Sequence, residues 1–530
     1  MADTDVLIIG AGPTGLVLAY WLKRLGVRVR IVDKTSEPGT TSRALGVQAR
    51  TLEFYRQIGL AHALTDRGLE FAAANLWVRG KRKTRVAFGE MGNGLSPYPY
   101  MLIFPQDEHE RLLIEHLVEA GVHVERRTEL WSFEDTDGSV IARLRGPDGR
   151  EEDCEALYLA GCDGARSTVR HALGIGFPGG TYGRFFYVAD VEASGPCING
   201  ELHVALDDAE FLAVFPMKGA HRGRIIGTVQ SEGEGEAHQM SWKDLDPGLM
   251  KRLGITVERV NWFSTYHVHH RVAEAFRKGR AFLVGDAAHI HSPVGAQGMN
   301  TGIADAVNLA WKLAAVVQGS ATRALLDSYE PERIAFARRL VATTDQAFTA
   351  VTSPGAVARF IRTEVVPRIM PPLFAPKAVR RFMFRTISQT AVNYRHSSLS
   401  EGRAGSVRGG DRLPWVPTDG PTGGEHDNFA PQRTLDWQAH IYGDRETRVS
   451  EACATRCLPL HVFPWGSNAR DAGLQRNALY LIRPDGYVGL ADPTRNASTL
   501  HQYLDARGLI PGRRESRPIA TLAGIQSGQI

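Results

Sequence analysis

Val6-Leu7-Ile8-Ile9-Gly10-Ala11-Gly12-Pro13-Thr14-Gly15 decides how this chain begins to fold. Val6 to Ile9 is short, apolar and β-branched, as a strand buried on both faces should be, and a helix-like stretch from Leu16 to Leu25 follows. In such a strand-turn-helix unit Gly10 permits the tight turn, Gly12 lets the backbone approach a pyrophosphate, and Gly15 lets the helix pack closely on the strand. The helix N-terminus at Pro13 and Thr14 then faces the anion. A second strand, Val27 to Val32, ends at Asp33 and Lys34, about twenty residues after the turn, where a carboxylate can accept from both ribose hydroxyls. Asp33 therefore argues for an adenosine with a free 2′-hydroxyl; its alternative use is a helix or turn cap.

Two later segments repeat the strand-to-loop logic. Ala156 to Gly161 reads as a buried strand that delivers Cys162-Asp163-Gly164-Ala165-Arg166-Ser167 to its carboxyl end, where open α/β sheets bind ligands. Asp163 and Ser167 have ordinary alternatives, a turn and the cap of a helix starting near Thr168. Ala281 to Val284 is a third strand, and Asp286 at its end is placed to accept from a ribityl chain. After Pro293 a glycine-rich turn leads into a helix from Met299 to Trp311 with apolar positions recurring at three and four residues. Amides near Gly298, Met299 and Asn300 would face a flavin pyrimidine edge, where negative charge develops on reduction. The three segments together describe one FAD held across discontinuous sequence. His289 and His291, an i, i+2 pair without a nearby Cys or Glu, make a poor metal site, and no metal is expected.

On these residues the chain resembles the FAD-dependent aromatic hydroxylases of the para-hydroxybenzoate hydroxylase type, class A flavoprotein monooxygenases. It looks closest to the branch of phenol hydroxylase, pentachlorophenol monooxygenase and the polyketide hydroxylases. The family pattern DGxxSxxR stands here as Asp163 through Arg170, and GDAAHxxxPxGxxGMNxGxxDAxNLAWKL as Gly285 through Leu313. The resemblance spans residues 4 to 395. It implies that NAD(P)H reduces the flavin, that O2 adds at C4a as a hydroperoxide, and that the distal hydroxyl passes to an electron-rich carbon of a phenolic or polycyclic aromatic substrate. It also implies Arg43 and Gln106 as further FAD contacts, and a ring that swings outward to meet nicotinamide, with Pro293 and the loop to Gly298 accommodating both positions. Two departures stand out. Gly295-Ala296 replaces the usual Gly-Gly, and Leu45 occupies the place where phenol hydroxylase carries an acidic residue, which removes one means of activating a phenol. No catalytic acid or base can be named.

The motif order sets the expected α/β organisation. Residues 1–175 and 265–395 form a Rossmann-like FAD-binding domain interrupted by a substrate-binding antiparallel sheet at 176–264. Strand-like pieces there are Arg184 to Glu192, Glu201 to Leu206, Phe211 to Phe215, Arg224 to Gln230 and Val260 to Val268. His203, Phe211, Phe215 and Tyr266, with Leu45, are candidates to line the pocket, although the four sheet residues are better explained as ordinary sheet packing. Residues 396–425, rich in Gly, Pro and polar residues, read as a linker. In 426–530, Ala478 to Ile482 and Tyr487 to Leu490 read as a hairpin turning at Arg483-Pro484-Asp485-Gly486. The resemblance implies a thioredoxin-like domain here that often serves a homodimer. It lacks CxxC, which favours a structural or dimerising role over a redox one.

Composition bounds the rest. With 530 residues, 43% hydrophobic content and 55 glycines, the chain has material for two or three domains with ample cores. The net charge of +4 is mostly arginine spread along the chain; the densest cluster, Arg79 to Arg85, has no interleaved aromatics and reads as a solvated hairpin rather than a nucleic-acid site. Five scattered cysteines suit reduced thiols in a cytoplasm. Asp3 and Asp5 stand where a signal peptide needs positive charge, and no apolar run approaches the ~18 residues of a membrane span. Stable membrane insertion is therefore not expected, while peripheral association through an exposed apolar helix stays open. A single GxGxxG unit disfavours flavoenzymes with a separate nicotinamide domain. Three alternatives remain: a flavin halogenase, whose Trp-x-Trp-x-Ile-Pro segment is absent; an isoprenoid double-bond reductase or epoxidase; and a flavin- or drug-binding protein with little turnover. Substrate identity and the choice of NADH or NADPH are not written in these motifs.

Overall fold

A computed structural model describes residues 2–39, 44–71, 73–87, 91–207, 210–229, 240–292, 296–352, 355–374, 376–417 and 426–512. Strand Thr4–Ile9 pairs in parallel with Val29–Asp33 on one side and Glu151–Gly161 on the other, and Glu151–Gly161 pairs in parallel with Ala281–Leu283. Val6, Leu7 and Ile8 are fully buried, so the continuous apolar run fills both faces of this central strand. Backbone bonds hold the strand ends level. Gly10 N–H donates to Val32 O at 2.8 Å, Cys162 N–H to Ile9 O at 2.7 Å and Val284 N–H to Gly161 O at 3.0 Å. The three motif loops therefore leave the sheet side by side at its carboxyl edge.

Helix Pro13–Arg24 packs against helix Gly298–Val317, which is buried on every side from Asn300 to Ala314. Thr14 sits between them: a Cβ at Gly302 would lie 2.4 Å from Thr14 Oγ1 and one at Gly285 2.7 Å from it. Only glycine leaves room for that side chain.

The second sheet has eight strands, and the central Gly179–Ser194 lies between Arg222–Val229 and Thr256–Val272. Glu210–Pro216 and Leu202–Asp207 extend it. All five expected strands are present, but the boundary at 176 is not where the sheet starts. The hairpin Ala73–Val78 and Lys81–Ala87 joins it, with Ala73–Val78 parallel to Leu202–Asp207. The physical reason is local: Arg79 (φ 52°) and Gly80 (φ 69°) both take the left-handed backbone of a tight hairpin, and the exposed Lys/Arg-rich strand serves as a protected edge. One face of the sheet packs on Leu245, Leu249, Met250 and Leu253.

The stretch expected as a linker is folded over much of its first half. Glu401–Ala404 pairs in parallel with Val488–Asp492 and so belongs to the C-terminal sheet; residues 418–425 lie outside the described residues. That sheet is built from a βαβ unit, Gln438–Tyr442, Thr447–Thr455 and Leu460–Phe463, followed by the hairpin Leu479–Ile482 and Val488–Asp492 and helix Ala497–Ala506. The hairpin turn drives its charges into the first domain. Arg483, fully buried, pairs with Glu332 at 2.8 Å and with Asp485 at 2.7 Å, and Trp311 Nε1–H donates to Asp485 at 3.0 Å. Lys312 also pairs with Glu332 at 2.8 Å, and burial pushes its ammonium down to about 8 despite that partner. A buried cluster of this kind is strongly destabilised by the loss of one member, by about 3–5 kcal/mol.

Candidate functional site

The three motif loops meet around one cavity of about 450 Å³. Gly12, Pro13 and Thr14 come from the first loop, Cys162 and Gly164 from the second, and Asp286, Ile290 and His291 from the third. Gly298 and Met299 at the start of the long helix, with Ala44 and Gln106, complete the wall.

The glycines divide into two kinds. Gly10 has φ 102°, and a Cβ there would come 2.4 Å from Cys162 O; one at Gly15 would come 2.0 Å from Gly10 O. The protein itself demands both. At Gly12 a Cβ would meet nothing within 4 Å, and at Gly298 only His291 at 3.9 Å, so the free space there belongs to the cavity; Gly164 has the same space, but its φ of 77° is a left-handed backbone that favours glycine by itself. Helices Pro13–Arg24 and Gly298–Val317 both start without a side-chain cap and without an acidic residue in the first turn. Each thus offers unbonded N–H groups and its positive end to a ligand. Uncapped helix ends beside open space left by glycines fit an anionic dinucleotide such as FAD.

His291 adds an orphan. Its Nδ1–H donates to Ser292 O at 2.8 Å, which leaves Nε2 an acceptor, shut off from solvent and without a partner among the described residues. Burial, reinforced by His289, pushes its pKa down to about 4, so it is neutral near pH 7. Sequence reading weighed His291 only as a metal ligand; the buried acceptor becomes visible once the loop is folded. Cys162 is the opposite case: burial and the nearby Asp163 and Asp305 raise its thiol well above the ordinary range, so this wall residue stays protonated and unreactive.

Several candidate residues serve the frame of the cavity. Asp33 Oδ2 accepts from Ala11 N–H at 2.6 Å, and Oδ1 accepts from Thr35 N–H at 2.8 Å, so its carboxylate ties the glycine turn to the second strand; Lys34 is exposed. Asp163 accepts from Ser167 Oγ at 2.6 Å and from Val169 N–H at 3.1 Å, and Ser167 Oγ accepts from Arg170 N–H at 2.9 Å. Both therefore cap the helix at Thr168 while Cys162 and Gly164 reach the cavity. Asn300 is wholly buried: its Oδ1 accepts from Gln48 N–H and from Thr51 Oγ1, each at 2.8 Å, and its Nδ2 donates to Gly46 O at 2.9 Å and Ala296 O at 2.8 Å. Its side chain clamps the 46–51 segment to the helix start, leaving only its backbone for a ligand. Arg43 and Pro293 lie outside the described residues.

Behind the third loop, Asp305 accepts from His289 Nε2 at 2.7 Å, from Gly285 N–H at 3.1 Å and from Arg333. Burial alone would raise this carboxyl, but Arg333 and His289 outweigh it and hold it below its ordinary value. Asp305 thus fixes the backbone on which Asp286 stands.

The pocket candidates separate by strand register. Phe211, Phe215 and Tyr266 share one face of the second sheet, since Phe215 pairs with Arg224 and Tyr266 with Phe186. Phe211 and Tyr266 cluster with Phe186 and Ile226, whereas Phe215 packs with Leu45, Phe71 and Met101 from the first domain. His203 pairs with Val214 on the opposite face. There its Nδ1 accepts from Trp77 Nε1–H at 2.9 Å and its Nε2–H donates to Asn199 at 2.8 Å, a satisfied core histidine pushed down to about 4 by burial. Sequence reading missed the principal polar group of the inner face. Arg224, fully buried, makes a two-pronged pair with Asp190, at 2.6 and 2.8 Å, and also donates to Ala44 O at 3.3 Å. It therefore fastens the sheet to a backbone segment of the FAD cavity. The only signal would have been the strand register that sets Asp190 opposite Arg224.

A protein family described as FAD binding domain matches residues 3–344. The chain belongs to that family. It is 34% identical to 6-methylpretetramide 4-monooxygenase of Streptomyces rimosus, over 96% of this chain and 94% of that protein. Among solved structures, OxyS anhydrotetracycline hydroxylase from Streptomyces rimosus aligns with a TM-score of 0.77 at 29% identity, covering 96% of this chain and 99% of that one. A ternary complex of aklavinone-11 hydroxylase with FAD and aklavinone aligns with a TM-score of 0.75 at 27% identity, covering 96% and 99%. This family member is an FAD-dependent aromatic hydroxylase of the mixed α/β kind, a class for which NAD(P)H and O2 are the typical co-substrates.

Proposed function

We propose that this hydroxylase acts on a polycyclic phenol of the polyketide type, laid against the inner face of the second sheet beside the flavin. The observation that carries this reading is that face: an aromatic wall from Phe211, Tyr266 and Phe186, a second apolar cluster around Leu45 and Phe215, and the Arg224–Asp190 pair between sheet and cavity. Leu45 is packed among Phe71, Ile103 and Phe215, so position 45 offers no carboxylate to take a phenolic proton. A polycyclic phenol conjugated to carbonyls is acidic enough to need none. Among the proteins that align along nearly the whole chain, C-terminal region included, are ones named for 6-methylpretetramide, anhydrotetracycline and aklavinone.

Bound FAD supplies the reducing and oxygen-activating chemistry. The chain supplies the uncapped helix end at Gly298 for the ring edge, Asp286 for the ribityl chain, and an apolar wall that keeps water from the reacting carbon. The test is a screen of simple phenols and fused-ring phenols with FAD-loaded enzyme and NADH or NADPH, with the products weighed by mass spectrometry. A fused-ring product heavier by one oxygen supports the proposal. Conversion of simple phenols alone, or NAD(P)H consumption that releases only peroxide across both sets, refutes it. A homodimer built through the C-terminal region is part of the same proposal, and a monomer by analytical ultracentrifugation refutes that part.

A further inference from the structure

Residues 356–387 stand apart from the rest of the molecule in charge and in exposure. Seven of the 62 Lys and Arg residues fall in this segment but only one of the 58 Asp and Glu residues, so the segment carries +6 and the remaining chain −2. It folds as helices Ala356–Phe360 and Val366–Phe374, joined through a π-helical turn at Ile361–Val365, followed by helix Lys377–Ile387 packed against them. Val357, Phe360, Ile361, Ile369, Leu373 and Phe382 are between 46% and 74% exposed. Elsewhere among the described residues the exposed large apolar side chains are Val118, Trp131, Ile141 and Ile510, at 41% to 55%, and they are scattered.

The apolar positions are ordered. Val357, Ile361, Val365, Ile369 and Leu373 recur at every fourth residue, and the wider π turn takes back part of the drift that such spacing gives in a regular α-helix, which keeps them along one side. In the neighbouring helix Phe384 turns inward against Ala49 and Met91, while Phe382 two residues earlier turns out. Arg368 and Lys377 stand exposed beside this stripe. Glu364, the single acid, is already engaged by Arg79 at 2.9 Å and Arg368 at 2.8 Å.

Charge decides the occupant. A second copy docked by symmetry would set +6 against +6 at contact distance, an unfavourable arrangement. An apolar stripe rimmed by cations instead matches a surface that is anionic at the level of the cations and hydrocarbon just beneath. We propose that residues 356–387 form an interfacial element that lays this enzyme on an anionic lipid bilayer, with the stripe at the acyl boundary and the basic side chains among the phosphate headgroups. Among the described residues no helix is long and apolar enough to cross a membrane, so the contact is peripheral.

The test uses the full-length FAD-loaded enzyme in co-sedimentation with vesicles of pure phosphatidylcholine and vesicles containing about one quarter phosphatidylglycerol. The enzyme should pellet with the anionic vesicles, stay soluble with the neutral ones, and be released by high salt. I369S/L373S/F382S should lower the partition coefficient by roughly tenfold or more, and R368Q/K377Q by roughly tenfold. Both variants should retain bound FAD. The proposal is overturned if the enzyme ignores anionic vesicles, if the variants pellet like the parent, or if I369S/L373S/F382S instead converts a dimer to a monomer in analytical ultracentrifugation, which would give the stripe to a second copy.

Discussion

The two halves of the site hold their ligands by different means. At the dinucleotide half, backbone does the work: three loops leave adjacent parallel strands, two helix ends stay uncapped, and glycines at 12 and 298 leave space. At the proposed substrate half, side chains from an antiparallel sheet would do it, and strand register alone decides that Phe211, Phe215, Tyr266 and Arg224 face inward while His203 faces away. A backbone cradle tolerates little change in its glycines. A side-chain wall can be recut residue by residue to suit another ring system without disturbing the cofactor.

The strongest challenge to this contrast comes from the glycines. Gly15→Ala drives a methyl group to 2.0 Å from Gly10 O and should cost about 3 kcal/mol of stability or more, read as a lower urea midpoint of the apoprotein. Gly12→Ala meets no protein atom within 4 Å and should leave the apoprotein midpoint within about 0.5 kcal/mol while weakening FAD binding at least about tenfold. Equal effects on the midpoint would erase the distinction between fold-demanded and ligand-demanded glycines.

On the other half, Asp190→Ala removes the two-pronged partner of the buried Arg224 and should cost about 3 kcal/mol. Arg224→Met removes both charge and fork, costs less, and frees Ala44 from the sheet; its signature should be more peroxide released per NAD(P)H consumed. Unchanged coupling in Arg224→Met would show that the sheet needs no such fastening.

Between the two halves, His291 gives a pH test. Its pKa is about 4 in the folded protein, below the unfolded value of about 6.5, so the unfolded chain takes up the proton first as pH falls. Its contribution is nil above about pH 6.5, and stability is lost progressively as pH falls from there to about 4, reaching about 2 kcal/mol at pH 5. His291→Phe should flatten that part of the stability curve, measured by urea melts of the apoprotein at pH 7 and pH 5. An unaltered slope would mean the imidazole is not held neutral. The smallest effect is expected at Ala296, whose φ of 53° is the left-handed backbone a glycine adopts freely. In Ala296→Gly the ~1 kcal/mol of relieved strain is largely offset by the freer unfolded chain, so the melting free energy should move by about 0.5 kcal/mol or less.

Legibility follows the same division. The glycine turn, the Asp286 loop and the helix from Gly298 were readable because backbone requirements restrict residue type at fixed spacing. Asp33, Asp163 and Asn300 were readable as important but less so as to role, since one carboxylate or amide can serve a ligand or a cap and the sequence carries no distances. Arg224 and Asp190 were missed because they meet only through strand register, 34 residues apart in sequence. The hairpin at 73–87 was assigned to the wrong domain for the same reason: a strand records its own alternation but not its neighbour. The turn at Arg483 to Gly486 was recognised as a turn, yet nothing local announced that Arg483 and Asp485 would be buried against Glu332 and Trp311.

The central claim, that three remote loops build one FAD site, is tested most directly by titrating the apoprotein with FAD and following flavin fluorescence alongside the intact mass of the complex. The account predicts saturation at one FAD per chain, with Gly12→Ala folded but markedly weaker. A parent protein that is folded by circular dichroism yet takes up no FAD would contradict it.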